Sequence, residues 1–304
     1  MSTRPKEKTT IKKEVLAPAK INLFLSVTGK REDGYHELTS VMAKLAIGDL
    51  LEIERDSKIT GINLRCPGFT ELENLDNLVY RAAKRWFEQT GELWGVKITL
   101  KKIIPSMAGL GGGSSDAVSA LLGINQLADA PLSMNQLVAI SAEIGSDCPS
   151  FFESGLCVVE GRGERVRPVR SPRVKSLIGQ EILLFKPSIG FSTAEVYKNL
   201  SRHSKFSSEA WKKERLEMWE SGKLSTSDFL HNDLEFAVFF KHLYFRPLFD
   251  QIEKDFGIVP KMSGSGSACF ALIPEGFNQV EPLREMIFAA WGDHSWLEFT
   301  KVVS

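Results

Sequence analysis

The sequence predicts an α+β fold with two lobes. The chain has 304 residues, which suits one large domain or two of ordinary size. Strand-like and helix-like segments are mixed along it without a steady βαβ repeat, which favours α+β over a doubly wound parallel sheet. The stretch RGERVRPVRSPRVKS is rich in charge and proline. It places a lobe boundary between residues 1–165 and residues 166–304.

The first third of the chain is predicted to be mostly strand. Apolar, strand-prone residues surround a turn at residues 32–34, and strands continue through TSVMAKLAIGDLLEIER with a break at Gly48 and Asp49. DNLVYRAAKRWFEQTG has helical spacing and ends at Gly91, a typical helix-ending residue. VKITLKKIIP alternates like a strand and stops at Pro105.

The rest of the chain alternates between helical and strand patterns. SSDAVSALLGINQLA is predicted to be a helix that opens on its serines, and Ser133 opens the next one. SSEAWKKERLEMWESGK is polar and predicts a surface helix. Strands are predicted in GLCVVEGRGERVRPV, EILLFKP, the end of KMSGSGSACFALIP and SWLEFTKVV, and helices in RPLFDQIEKDFG and QVEPLREMIFAAWG.

Composition excludes several classes of partner. The formal net charge is zero and the pI is about 7.0, so no basic field favours nucleic acid or an anionic membrane. No apolar run reaches the roughly 18 residues that span a bilayer. The four cysteines form no C-x-x-C pair, which favours the reducing cytoplasm. Residues 1–13 are polar and basic and predict a flexible tail.

The stretch PSMAGLGGGSSDA carries the first chemical signal. Its glycines lie between a predicted strand and a predicted helix, where backbone N–H groups and the helix dipole favour a bound phosphate. A tight structural turn with serine caps is the alternative. No Gly-Lys-Ser/Thr follows, so the P-loop is excluded, as is G-x-G-x-x-G because Ser114 replaces the third glycine. The protein-kinase motifs H-R-D and D-F-G are absent.

Three blocks in order resemble the GHMP kinases. They are APAKINLFLSVTGKREDGYHEL, PSMAGLGGGSSDA and KMSGSGSACFAL. The resemblance implies a two-lobed GHMP-kinase-like fold with the active site in the cleft between the lobes. It implies ATP and Mg²⁺, an ATP-binding lobe over residues 1–165 and a substrate-binding lobe over residues 166–304.

The blocks REDGYHEL, IGSDCPSFF and HNDLE narrow the resemblance. They are similar to the GHMP kinases that phosphorylate the 2-hydroxyl of a cytidine-diphosphate-linked methylerythritol in the non-mevalonate isoprenoid route. A homoserine or mevalonate kinase is one alternative, against which GYHEL argues. A catalytically silent, nucleotide-binding regulator is another, against which Lys20, Asp147 and the full glycine loop argue. No obligate protein partner is evident from the sequence.

Two residues are the catalytic candidates. Asp147 matches the family's base, which accepts the hydroxyl proton, although Ser146 replaces the usual alanine. An aspartate that only caps a turn is the alternative. Lys20, between Ala19 and Ile21, is expected not to be fully solvated. The resemblance places it in the active site, where it would offset negative charge; a surface lysine is the alternative.

The resemblance also implies a substrate site. Asn22 follows Lys20 on the same strand face and would position the substrate. Tyr35 would stack on cytosine and His36 would hydrogen-bond it, with ordinary packing as the alternative. The remaining candidates are Thr193, Tyr197, Gly264, Ser265 and Gly266, of which the glycine loop could equally be a tight turn.

The ATP site is implied on the first lobe. Asn77 and Lys102 would lie by the adenine, unless they are a helix-start asparagine and an exposed lysine. The phosphates would be held by Pro105, Gly109, Leu110, Gly111, Gly112, Gly113, Ser114 and Ser115. Ser114 is also the candidate protein ligand of Mg²⁺.

Overall fold

The computed structural model describes residues 11–56 and 59–304 of the chain. Strands and helices are mixed along it, so the predicted α+β class is confirmed. Among the described residues, no helix combines the length and the apolar character that crossing a bilayer requires.

Strands dominate residues 11–56, as expected. The strands are β1 (Ile11–Lys30), β2 (His36–Asp56), β3 (Ile62–Arg65), β4 (Gly95–Lys101), β5 (Leu156–Gly161), β6 (Arg165–Pro168), β7 (Glu181–Lys186), β8 (His231–Asn232), β9 (Lys261–Met262), β10 (Cys269–Leu272) and β11 (Trp296–Lys301). The tail predicted over residues 1–13 does not hold for residues 11–13, which begin β1; residues 1–10 lie outside the described residues.

Helices separate and follow these strands. They are α1 (Leu78–Thr90), α2 (Gly112–Gln126), α3 (Met134–Ile144), α4 (Val174–Leu177), α5 (Thr193–His203), α6 (Glu209–Glu220), α7 (Thr226–Phe229), α8 (Leu234–Phe239), α9 (Phe245–Phe256) and α10 (Val280–Trp291). Short 3₁₀ turns occupy Thr70–Leu72 and Cys148–Phe152. The predicted caps are present: Gly91 is left-handed at the end of α1, and Ser133 forms a capping box before α3.

The described chain packs as two compact units, and neither is one continuous segment. The first contains residues 11–17, 49–103 and 113–148, and the second contains 18–48, 104–112 and 149–304. The predicted lobe boundary at 165/166 falls inside the second unit. As a division by function, that boundary stays a prediction.

The first unit contains helices α1 to α3 and a small sheet. Strand β4 pairs antiparallel with Leu50–Asp56 of β2 and parallel with β3. Helix α1 packs against α3. Its buried Trp86 donates a hydrogen bond to Asn125 of α2 at 3.0 Å, so one side chain ties two helices together.

The second unit contains two groups of paired strands. In one, β5 pairs antiparallel with β2 and β6, and β8 pairs parallel with β1. In the other, the order is β11-β7-β10-β9, all antiparallel. Strand β7 alternates between two apolar cores: Ile182 and Leu184 enter one, Leu183 and Phe185 the other.

A further sequence expectation is wrong. The break at Gly48 and Asp49 does not occur, because β2 continues through Asp49, whose buried carboxylate is paired. Helix α6 lies on the surface as expected, with only Leu216 and Trp219 buried, and Trp219 stacks on Phe229 with ring centroids 4.4 Å apart.

Candidate functional site

Lys20 and Asn22 form a buried polar pair on β1. Each side chain is only 4% exposed, and Lys20 Nζ lies 2.6 Å from Asn22 Oδ1. Asn22 Nδ2 donates to Ser40 Oγ on β2 at 2.7 Å, and Ser40 in turn donates to the Phe24 carbonyl at 2.7 Å. The predicted shared face and the predicted burial of Lys20 are therefore confirmed. Ser40, which sequence reasoning missed, orients the amide and through it the ammonium.

The loop between β9 and β10 lies directly against this pair. Gly264 has φ +55°, and a Cβ there would lie 3.2 Å from Asn22 Oδ1 and 3.3 Å from Lys20 Nζ. Asn232 on β8 donates to the carbonyls of Met262 and Gly264 at 2.7 and 2.8 Å. Glycine therefore leaves space beside the ammonium, and Asn232 fixes the loop that borders it. HNDLE contains Asn232, but sequence reasoning gave this residue no role.

The first part of the central glycine motif runs beside the same loop. Gly109 has φ +74°, and a Cβ there would lie 2.1 Å from the Ser263 carbonyl oxygen, closer than any side chain allows. Ser263 Oγ donates to the Gly109 carbonyl at 3.0 Å, and the Lys20 N–H donates to the Leu110 carbonyl at 2.9 Å. Within the second unit, backbone contacts thus bring two of the three sequence blocks to Lys20.

Helix α2 begins inside the glycine motif, at Gly112, and not at the serines as predicted. The first N–H groups of a helix have no acceptor within it, so this end can receive an anion. Residues from Gly113 onward belong to the first unit. There Ser115 Oγ is buried with no hydrogen-bond partner in the described part of the chain. The arrangement fits a phosphate bound by backbone groups.

Ser114, the predicted metal ligand, contacts a cysteine. A hydrogen bond with the Ser114 hydroxyl lowers the Cys148 pKa, but burial outweighs it and raises that pKa to about 12. The thiol is therefore neutral at physiological pH. In the described part of the chain, no group of three or more His, Cys, Asp or Glu side chains could hold a metal ion.

Asp147 lies in the turn between α3 and the 3₁₀ turn, as the sequence predicted. The Gly145 N–H donates to Ser141 O and the Cys148 N–H donates to Gly145 O, both at 3.1 Å, which closes the turn. The side chain is partly exposed. The predicted turn is present, while the role of Asp147 as a base is not tested by this geometry.

His36 and Tyr197 lie together in the second unit. Their ring centroids are 4.9 Å apart, and His36 Nε2 lies 2.7 Å from Ser201 Oγ. Burial lowers the His36 pKa, so the ring is neutral near pH 7. Tyr35 is 49% exposed, with the Arg162 guanidinium 5.2 Å from its ring centroid. Tyr35 thus presents an aromatic face, while His36 already has a hydroxyl partner.

Thr193 connects the start of α5 with the loop between β9 and β10, two segments predicted to bind substrate. It is the first residue of α5, and its Oγ1 lies 2.8 Å from Ser265 Oγ. Gly266 follows in the same loop, whose buried backbone is held between β9 and β10. The structure therefore brings Thr193 to the loop at 264–266, as a shared substrate site requires.

The remaining ATP candidates have structural partners. Asn77 caps α1: its side chain accepts from the Val79 N–H and donates to the Leu72 carbonyl, both at 2.8 Å. The helix-start alternative therefore accounts for the amide oxygen of Asn77, and the Leu72 carbonyl accounts for its N–H group. Pro105 lies, partly exposed, in the loop after β4.

Lys102 is buried, so the exposed-lysine alternative is wrong. Its ammonium binds Asp116 at 2.7 Å and also Asp49. Burial alone would lower the Lys102 pKa, but the two carboxylates raise it. Burial raises the Asp116 pKa to about 7. Sequence reasoning missed both aspartates, although Asp116 directly follows the two serines of the glycine motif.

Comparisons with known proteins point to the same family as the three sequence blocks. Residues 77–155 match the family model described as the GHMP kinases N terminal domain. The 4-diphosphocytidyl-2-C-methyl-D-erythritol kinase of Carboxydothermus hydrogenoformans is 38% identical over 267 residues, which cover 85% of this chain and 87% of the relative. A crystal structure of 4-(cytidine 5′-diphospho)-2C-methyl-D-erythritol kinase is 34% identical, with a TM-score of 0.75, and the match covers 95% of this chain and 99% of that one.

A more distant neighbour shares the fold alone. The homoserine kinase of Cytophaga hutchinsonii has a TM-score of 0.67 at 17% identity, over 99% of this chain and 98% of that one. Identity at that level carries no information about the acceptor.

Proposed function

The chain belongs to the 4-diphosphocytidyl-2-C-methyl-D-erythritol kinase family of GHMP kinases, and from that premise we propose how its own residues perform the phosphoryl transfer. It is a kinase of isoprenoid biosynthesis. The reaction moves the γ-phosphoryl group of ATP to the 2-hydroxyl of the cytidyl substrate: the hydroxyl O–H bond and the terminal P–O bond of ATP break, a new P–O bond forms, and ADP leaves.

The observation that carries the proposal is the Lys20–Asn22 pair bordered by Gly264 and Gly111. A buried ammonium held by an amide, beside backbone that only glycine permits, suits a phosphorylated ligand. Lys20 would offset the negative charge that grows on the transferring group. Asn22, itself fixed by Ser40, would hold the ammonium or the acceptor hydroxyl in place.

Asp147 is proposed as the group that accepts the hydroxyl proton. Its support is the match of IGSDCPSFF to the family's motif and its place in a closed, accessible turn. Mg²⁺ would come with ATP and neutralise phosphate charge. Ser114 and the backbone of residues 109–115 are the protein groups proposed to hold the ATP phosphates.

The cytidine end is assigned to Tyr35, His36 and Tyr197. The exposed ring of Tyr35 would stack on the base. His36 is neutral at pH 7 and would hydrogen-bond the base edge by exchanging its Ser201 contact. Thr193 and Ser265 would bind the diphosphate or the polyol that follows it.

We also propose that the enzyme works in the cytoplasm. None of the four cysteines forms a disulfide and all four are buried, as expected where thiols stay reduced.

ADP release with competing acceptors tests the assignment. Purified protein is given ATP and Mg²⁺ with the cytidyl substrate, or with mevalonate, homoserine or galactose. Release with the cytidyl substrate alone is expected. ADP release with another acceptor only would show that this acceptor is the substrate. ATP binding without ADP release for any acceptor would favour the nucleotide-binding regulator.

A further inference from the structure

Lys186, the last residue of β7, is a buried lysine without an acidic partner. The residue is only 6% exposed to solvent. Among the described residues it forms no ion pair, and burial lowers its pKa. Lysines are rarely buried unless paired, because removing an ammonium from water is unfavourable without a counter-charge. A fold that needed only apolar packing here would be more stable with methionine.

The ammonium instead binds two backbone carbonyls. Nζ donates to the Pro187 carbonyl at 2.9 Å and to the Ile189 carbonyl at 2.6 Å. These carbonyls belong to the segment directly after β7. Lys186 therefore bends residues 187–189 around its own side chain.

The bent segment contacts both glycine motifs of the second unit. The Ile189 carbonyl also accepts a hydrogen bond from Ser267 Oγ, so the ammonium and this hydroxyl meet at one oxygen. The Phe191 N–H donates to the Met107 carbonyl at 3.4 Å. A Cβ at Gly190 would lie 2.7 Å from Met107 Cβ, so the two backbones approach closely.

The same segment ends at Thr193, whose hydroxyl lies 2.8 Å from Ser265 Oγ. Residues 187–193 are thus fixed at one end by Lys186 and at the other by the loop after β9. We propose that Lys186 is a positioning residue for the acceptor substrate, which acts through the Pro187 and Ile189 carbonyls to place Thr193 and the loop at 264–266. This inference rests on the proposed function, which assigns those groups to the cytidyl substrate.

The proposal predicts that a substitution of Lys186 changes substrate binding without a matching loss of stability. Lys186→Met removes two hydrogen bonds to carbonyls, which is unfavourable, and also removes a buried ammonium that has no counter-charge, which is favourable; the unfolding temperature should therefore change little. The KM for the cytidyl substrate should rise about 10-fold or more, the size expected for the loss of one charge-assisted contact pair. The KM for ATP should change less than about two-fold. A purely structural lysine would instead lower the unfolding temperature and leave the KM values unchanged.

Lys44 provides a matched control. It is also a lysine with a pKa lowered by burial, and its Nζ donates to the backbone carbonyls of Phe151 and Glu153. Because it holds a different loop, Lys44→Met should leave the KM for the cytidyl substrate unchanged. Lys186→Gln keeps two N–H donors without the charge and should restore part of the affinity, which also keeps the test valid if Lys186→Met fails to fold.

The outcomes are distinct. Wild-type protein that releases no ADP with the cytidyl substrate contradicts the proposed function. With an active wild type, an unchanged KM in Lys186→Met, an equal rise in both KM values, or the same rise in Lys44→Met would each overturn the role of Lys186. A selective rise that Lys186→Gln partly reverses supports it.

Discussion

The Nζ atom of Lys20 lies 2.6 Å from the Oδ1 atom of Asn22, with both side chains buried on one face of β1. A lysine in that position keeps one rotamer. We expect Lys20→Met to lower turnover about 10²- to 10³-fold, the range found when one preorganised electrostatic group is removed. The measurement is kcat by ADP release, with folding checked by circular dichroism. Lys13→Met, an exposed lysine on the same strand, should be neutral; wild-type turnover in Lys20→Met would remove Lys20 from catalysis.

Asp147 gives the second prediction. Asp147→Asn keeps the size and the turn but cannot take a proton, so kcat should fall by about 10²- to 10⁴-fold. ATP affinity, measured by calorimetry, should stay close to wild type because the base acts on the other substrate. Asp293→Asn, at an exposed position, serves as the control. Normal turnover in Asp147→Asn would contradict the assignment.

The third prediction concerns space beside the ammonium. Gly264→Ala places a methyl group 3.3 Å from Lys20 Nζ, and Gly276→Ala introduces the same left-handed strain with no atom within 4 Å. Both variants should lose about 1 kcal/mol of stability from the backbone. Only Gly264→Ala should also lose activity, by about 10-fold or more. Equal kcat/KM values in the two variants would show that the space beside Lys20 is unimportant.

The fourth prediction tests the buried cluster of Asp49, Lys102 and Asp116. Lys102→Met leaves two buried carboxylates without their cation and should cost about 3–5 kcal/mol of unfolding free energy. Lys101→Met, which removes an exposed pair with Glu52, should cost less than about 1 kcal/mol. Urea unfolding of both variants gives the comparison. Equal losses would mean that the cluster contributes no more than a surface pair.

Asp116 adds a pH dependence of known sign. Its pKa is raised from 3.8 to about 7, so the folded state holds a proton that the unfolded state releases. The associated stability is complete below pH 3.8 and is lost as pH rises through about 7. The contribution of Asp116 to stability should therefore fall between about pH 4 and about pH 7, and Asp116→Asn should remove that fall, which amounts to about 1.4 kcal/mol per unit of pKa. Parallel pH profiles would show that Asp116 is already ionised.

Local patterns predicted part of the site well. The two-residue repeat of a strand was enough to put Lys20 and Asn22 on one face. Asn77, Gly91 and Ser133 lie at the ends of helices, where these residue types are favoured. These features depend on neighbours a few positions away, which is why a single sequence reveals them.

Long-range pairing accounts for what the sequence could not predict. The burial of Lys102 was not predicted because its partners, Asp49 and Asp116, lie 53 and 14 positions away. His36 and Ser201 are separated by 165 positions. A charged side chain can be buried only when such partners lie beside it. The residues next to it in the sequence do not show whether those partners exist. The start of α2 at Gly112 was missed because glycine is a poor helix former.

The pairing of β1 with β8 has a consequence for synthesis of the chain. The Val27 N–H donates to Asp233 Oδ2, and the two residues are 206 positions apart. At about 5–20 residues per second, a ribosome needs on the order of 10–40 s to supply that partner. During this interval β1 can pair with β2 on one side but lacks β8 on the other. We expect a nascent chain released early to associate with other chains, so that yield in a cell depends on chaperone supply as much as on the stability of the finished enzyme.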